Sequence, residues 1–184
     1  MENPGDGYGW LLEEFTDDSD FTVLIVRFVR GLAPEEALRR LGAADPRYGG
    51  VAQQDEGFIV AFAADGGCVL FENAFFALDD VEMTRRLSPG TTTARVSAVS
   101  ADWDFSYAAD GEVIVFFDPA YPGDREGADP DAIADAMSAV GMVPTSEDEP
   151  DEDAIPKALI LAEHVTGVHL TPAHLDKPAW LAEF

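Results

Sequence analysis

The residue types able to do chemistry are few and poorly grouped. His164, His169 and His174 are the only histidines, at intervals of five. One helix face presents residues three or four apart, so a single helix does not gather them. Neither HExxH nor a Cys/His pairing accompanies them. An enzyme whose site is assembled around these C-terminal histidines by a folded connector is one alternative reading. The plainer expectation places His164 at a helix C-terminus and the other two at surface or capping positions. Cys68, the single cysteine, lies in an apolar run with no cation near it in sequence. A reactive thiolate needs a cationic or helix-N-terminal setting, so Cys68 reads as core. GxSxG, GxGxxG and the P-loop are absent. The turn Asp65-Gly66-Gly67 opens on an anion, and hairpin geometry explains its glycines better than a phosphate does.

Asp102, Asp104, Asp118, Asp124 and Glu126 have the types for a paired-carboxylate or Ca²⁺ site, but no DxDxDG loop holds them. They read as a solvated rim at strand ends. Asp104 is the exception. If Val115 and Phe117 cover its face it needs a donor, and Arg95 on the neighbouring strand is the nearest. No catalytic residue, metal ligand or cofactor is assigned on these grounds.

Charge speaks louder. Against 36 Asp and Glu stand 11 Lys and Arg, a net −25. Residues 101–184 carry 19 acids and 3 bases. Such a field repels DNA, RNA and anionic membranes and speeds encounter with basic partners. Arginine over lysine, with abundant Ala, Gly, Pro and Asp, also fits a GC-rich genome, which accounts for an acidic chain better than for −25. The expected function is therefore a non-enzymatic cytoplasmic binding protein. Its sharpest form is an immunity-type or inhibitor protein that masks a basic surface of a toxin or nucleic-acid-binding protein. A DNA-mimic regulator is the other alternative. The expected partner-binding residues are Asp124, Glu126, Asp129 and Asp131, together with Glu147, Asp148, Glu149, Asp151, Glu152 and Asp153. The polar N-terminus is wrong for a signal peptide. The run 21–29 is too short to span a bilayer and is interrupted by Arg27. A lone cysteine excludes an internal disulfide, and together these favour the cytoplasm.

The elements that must position these groups predict an α+β fold in one domain, 1–184. Its core is a central, mainly antiparallel sheet of about five to six strands, built from two Asp-Gly hairpins with helices packed on it. Trp103, Phe105 and Tyr107 alternate with Asp102, Asp104 and Ser106 before Asp110-Gly111, and Val113 to Phe117 is apolar after it. A two-residue loop sets Phe105 opposite Phe116 and Tyr107 opposite Ile114, and this hairpin is expected at the sheet's centre. The second hairpin, 57–73, turns at Asp65-Gly66. Both turns share Ala-Ala-Asp-Gly, 45 residues apart, from duplication or simply from a good turn used twice. Helices are expected over 6–15, 32–42 (Pro34 in the first turn, Gly42 at the cap), 78–87, from Asp129-Pro130 to Gly141, 154–166, and after Thr171-Pro172. Residues 145–153 form a flexible acidic loop.

The whole pattern resembles an uncharacterised actinobacterial family of small acidic proteins, a domain of unknown function. Trp10-Leu11-Leu12-Glu13 carries the resemblance. So do Val29-Arg30-Gly31-Leu32 through Pro34-Glu35-Glu36 to Leu38-Arg39-Arg40-Leu41-Gly42, and Thr166-Gly167-Val168-His169-Leu170-Thr171-Pro172. These are caps and core positions, so the resemblance implies kinship without a reaction.

Overall fold

A computed structural model describes residues 7–15, 23–49, 58–73, 80–144, 150–151 and 153–184. The elements in chain order are α1 (Gly9–Phe15), β1 (Val23–Arg30), α2 (Pro34–Leu41), β2 (Arg47–Tyr48), β3 (Phe58–Ala64), β4 (Gly67–Asn73), α3 (Asp80–Leu87), β5 (Thr92–Val99), β6 (Asp102–Ala109), β7 (Glu112–Phe117), α4 (Ala134–Ala139), α5 (Ala154–Thr166), α6 (Pro172–Leu175) and β8 (Trp180–Glu183). One sheet runs β2-β8-β3-β4-β1-β5-β6-β7, eight strands in all, with each neighbouring pair antiparallel. The expectation of five to six strands is thus too low. β2 and β8 are two and four residues long, too short to show alternation in the sequence.

The sheet's centre is β1, between β4 and β5, and the hairpin β6–β7 forms one edge. That displaces the hairpin from the centre where the sequence placed it. A strand covered on both faces reads as continuous apolar sequence, and β1 does so except at Arg27 and at its last residue, Arg30. Its Leu24, Val26 and Phe28 point to one face, where α1, α4 and α5 close a core with Phe105, Val115, Phe117, Met137, Leu159 and Leu161. On the other face α2 and α3 pack Leu38, Leu41, Met83 and Leu87 over Val29, Ile59, Cys68 and Leu70.

The turn at Asp110-Gly111 has φ of 50° and 86°, the doubly left-handed form that suits a two-residue hairpin. Its tip is tied down, since Gly111 N–H donates to Ser88 Oγ at 2.9 Å and Gly90 N–H to Asp110 Oδ1 at 3.0 Å. The predicted register fails one step further on. A bulge between Tyr107 and Ala108 makes Phe117 the partner of Phe105 and Val115 the partner of Tyr107. Val115 and Phe117 therefore enter the core instead of covering Asp104, and Phe116 turns to the other face. The cause lies outside the hairpin. Residues 126–129 run alongside β7, and the carbonyls of Val113 and Ile114 accept Ala128 and Asp129 N–H at 3.2 and 3.1 Å. Gly127 has φ 123°, and a Cβ there would strike the Ile114 carbonyl.

The second hairpin turns at Asp65-Gly66 as expected, but Asp65 does not share the left-handed backbone of Asp110. Backbone fills the space beside Gly66 and Gly67, from Gly167 and Val29 respectively. The helix expected from Asp129 begins only at Ala134. Arg125 holds the preceding segment as turns through bonds to the Pro130 carbonyl (2.9 Å) and Asp131 (2.6 Å). The apolar stripe Ile133, Met137 and Val140 is nevertheless buried as its spacing predicts.

Candidate functional site

β7 ends at Phe117 and the chain turns outward. Asp118 Oδ1 accepts Ala120 N–H at 2.9 Å, its carbonyl accepts Tyr121 N–H at 2.9 Å, and the Tyr121 carbonyl accepts Asp124 N–H at 3.1 Å. Arg125 ties the return leg to the Pro122 carbonyl at 2.7 Å, besides Pro130 and Asp131. Glu126 then exchanges both backbone hydrogen bonds with Phe116, each 2.8 Å. The loop is thus stapled by one guanidinium and by the sheet edge. Residues 110–135 contain eight acids and this one base.

The acidic segment near 150 meets the same loop. Asp151 N–H donates to the Ala120 carbonyl at 3.3 Å, and Pro144 lies against Gly123. Both described flanks of the second segment therefore sit on the first. Of the ten acids expected to bind a partner, Asp124, Glu126, Asp129, Asp131 and Asp153 are exposed. Asp131 pairs with Arg125, and Asp151 is taken up by Lys157 Nζ at 2.7 Å. Glu147, Asp148, Glu149 and Glu152 lie outside the described residues, as does most of the expected flexible loop. Affinity for a partner also needs apolar anchors. The structure supplies three exposed ones, Phe116 and Tyr121 at 41% and Val143 at 50%.

A second constellation lies on the α2/α3 face of the sheet. Arg27 and Arg95 are directly paired across β1 and β5. Arg27 is fully buried. Its Nε donates to Glu72 at 3.1 Å, Nη1 to Thr84 Oγ1 at 3.0 Å and Nη2 to Asp80 at 2.5 Å. Burial alone would lower its pKa; Glu72 and Asp80 outweigh that and hold it charged. Arg95 Nη1 donates to Asp104, the donor the sequence suggested, and its Nε lies 3.2 Å from Asp80 without a hydrogen bond's alignment. The two carboxyls on Arg95 are pushed apart. Burial raises Asp104 further than Arg95 lowers it, and the Asp80 charge adds to the rise. Asp80 is also subject to burial, but Arg27 and Arg95 together hold it below the usual aspartate value. The sequence traces of this network were the Arg95–Asp104 pairing and Arg27 itself, a charge inside an apolar stretch of the central strand.

The histidines take separate partners. His169 Nδ1 lies 2.8 Å from Glu163, whose other oxygen accepts Tyr8 OH at 2.5 Å. His174 closes a capping box with Thr171, and His164 is exposed at the end of α5. Burial, with the bond to Glu163, pushes the Tyr8 hydroxyl well above its ordinary pKa. Cys68 is buried, which pushes its thiol up to about 12. Among the described residues, no three His, Cys, Asp or Glu side chains converge as a metal ion would require. Among them too, no helix is long and apolar enough to cross a membrane.

Fold and surface together define an α+β protein: an open antiparallel sheet, helices on both faces, and an acidic corner at one edge. The chain belongs to a family of unknown function (DUF6461), whose profile it matches over residues 1–183. No curated protein matches it, and no solved structure does.

Proposed function

We propose that the protein is a binding protein that offers the β7 corner to a basic protein surface, as an inhibitor or immunity protein would. One observation carries the reading. The exposed acids Asp124, Glu126 and Asp129 lie on a loop that follows the exposed Phe116 and carries the exposed Tyr121, and Asp151, beyond α4 in sequence, bonds to that same loop. Carboxylates bring a cationic partner in quickly, and exposed aromatics supply the desolvated contact from which affinity comes. A DNA mimic would need an unbroken acidic stripe. Arg125 and Lys157 interrupt the corner by bonding Asp131 and Asp151, which favours a protein surface as the target.

The test is a pull-down from the source cells at low and high salt, using the wild type and Asp124→Asn/Glu126→Gln/Asp129→Asn. The expected result is a basic protein held at low salt, released at high salt, and missed by the triple variant. Retention of no basic protein, or retention indifferent to the variant, would overturn the reading.

A further inference from the structure

The face of β7 that turns away from the main core is where Phe116 emerges, and it singles out one cationic side chain over the other. Phe116 and Glu126 are hydrogen-bonded cross-strand partners, so their side chains stand on the same face about 5 Å apart at Cβ. Asp118 follows Phe116 by two residues. Tyr121 sits in the turn between Asp118 and Asp124, bonded to both through its backbone. Each exposed ring therefore has a carboxylate on either side of it along the chain or across the bridge. A lysine ammonium is compact and strongly hydrated, and gains most from the carboxylates alone. A guanidinium is flat and weakly hydrated; it stacks on a ring while its edge donates to a neighbouring carboxylate.

We propose that this face takes an arginine-rich segment of the partner, with guanidinium groups stacked on Phe116 and Tyr121 and hydrogen-bonded to Asp118, Asp124 and Glu126. The proposal rests on the reading of the corner as a surface for basic proteins and goes further in naming the side chain it selects. A second copy of the chain is a poor occupant, because a net −25 on each copy opposes self-association.

The experiment uses the full chain and two fluorescent peptides of equal length, oligo-arginine and oligo-lysine, with affinity read by anisotropy at moderate salt. The wild type is compared with Phe116→Leu/Tyr121→Leu, which keeps apolar area and removes the rings. Both sites are surface-exposed, and a thermal melt checks that the variant is folded. The expected result is a preference of roughly tenfold for arginine in the wild type, falling to within about twofold in the variant while lysine binding is unchanged. Equal binding of the two peptides by the wild type overturns the arginine selection and leaves the corner as a general cation surface. A preference that survives loss of the rings overturns their role. Binding of neither peptide removes the proposal together with the reading beneath it. A dimer in sedimentation that the variant abolishes would assign the face to a second copy and overturn the proposal.

Discussion

Arg27→Met tests whether the buried ion network holds the two layers of the protein together. Methionine keeps most of the volume and removes three donors at once. What remains is Glu72, whose side chain is 6% exposed, and Asp80, at 29%, both without the guanidinium that neutralised them. Removing one partner of a buried pair costs about 3–5 kcal/mol, because the other charge stays behind unpaired. Glu72 sets the upper part of that range, since Asp80 reaches water and keeps Arg95 close by at 3.2 Å. Urea unfolding followed by circular dichroism would show the midpoint falling by roughly 1–2 M. Arg27→Met/Glu72→Leu removes the stranded charge as well and should return most of the loss, since a buried pair replaced by apolar groups is often nearly neutral. An Arg27→Met midpoint within experimental error of wild type would refute the reasoning. So would a double variant no more stable than the single one.

Asp80→Asn and Asp104→Asn should differ in sign with pH although both residues contact Arg95. Asp80 is held low in the folded protein, so its stabilisation is full above the ordinary aspartate range and fades as pH falls through its folded value. Asp80→Asn should cost about 1.5–3 kcal/mol at neutral pH and flatten the acid limb of a stability profile. Asp104 is held high, so its charged form weakens the fold at neutral pH and its protonation strengthens the fold as pH falls. Asp104→Asn should therefore cost less than Asp80→Asn at neutral pH and steepen the acid limb; urea melts across pH 4–8, roughly the useful range, distinguish the two. Gly127→Ala meets both a positive φ and the Ile114 carbonyl. It should cost about 1–3 kcal/mol and raise hydrogen exchange at the Phe116 amide, which Glu126 otherwise protects. Cys68, with its thiol pushed up to about 12 by burial, should react with a thiol reagent only at the rate of unfolding; rapid labelling of the native protein would contradict its placement.

Local grammar was readable in the sequence at most positions where a residue type has one backbone use, with Asp129-Pro130 the exception. Pro34 and Gly42 bracket α2, Gly167 stops α5, and Thr171-Pro172 opens α6. Both Asp-Gly turns fell where expected, and so did the Arg95–Asp104 pair, because adjacent strands leave few donors in reach. What failed were quantities set by distant chain. The bulge in β7 answers to residues 126–129, more than ten positions later, and no alternation within the hairpin reveals it. β8 is four residues long with no alternation of its own, and pairing with β3 and β2 on its two sides makes it a strand. Arg27 was visible as a charge in an apolar run, but its partners come from β4 and α3, at separations of 45 to 57 residues.

The placement of the cations shows which carboxylates the fold itself engages. The bases are few and most are committed to the chain itself. Arg27 and Arg95 lie inside, Arg40 and Arg86 bond the carbonyls where α2 and α3 meet, and Arg125 and Lys157 brace the corner loop. Of the three bases in residues 101–184 this leaves Lys177, which is exposed beside α6. The cations thus work as internal staples, two of them within the corner that carries Asp124, Glu126 and Asp129. Asp131 and Asp151 bond Arg125 and Lys157, although Asp131 stays 79% exposed; Asp124, Glu126 and Asp129 are exposed beside it. Composition alone cannot make that distinction between acids that hold the chain's own bases and acids that only face solvent, because both kinds carry the same charge.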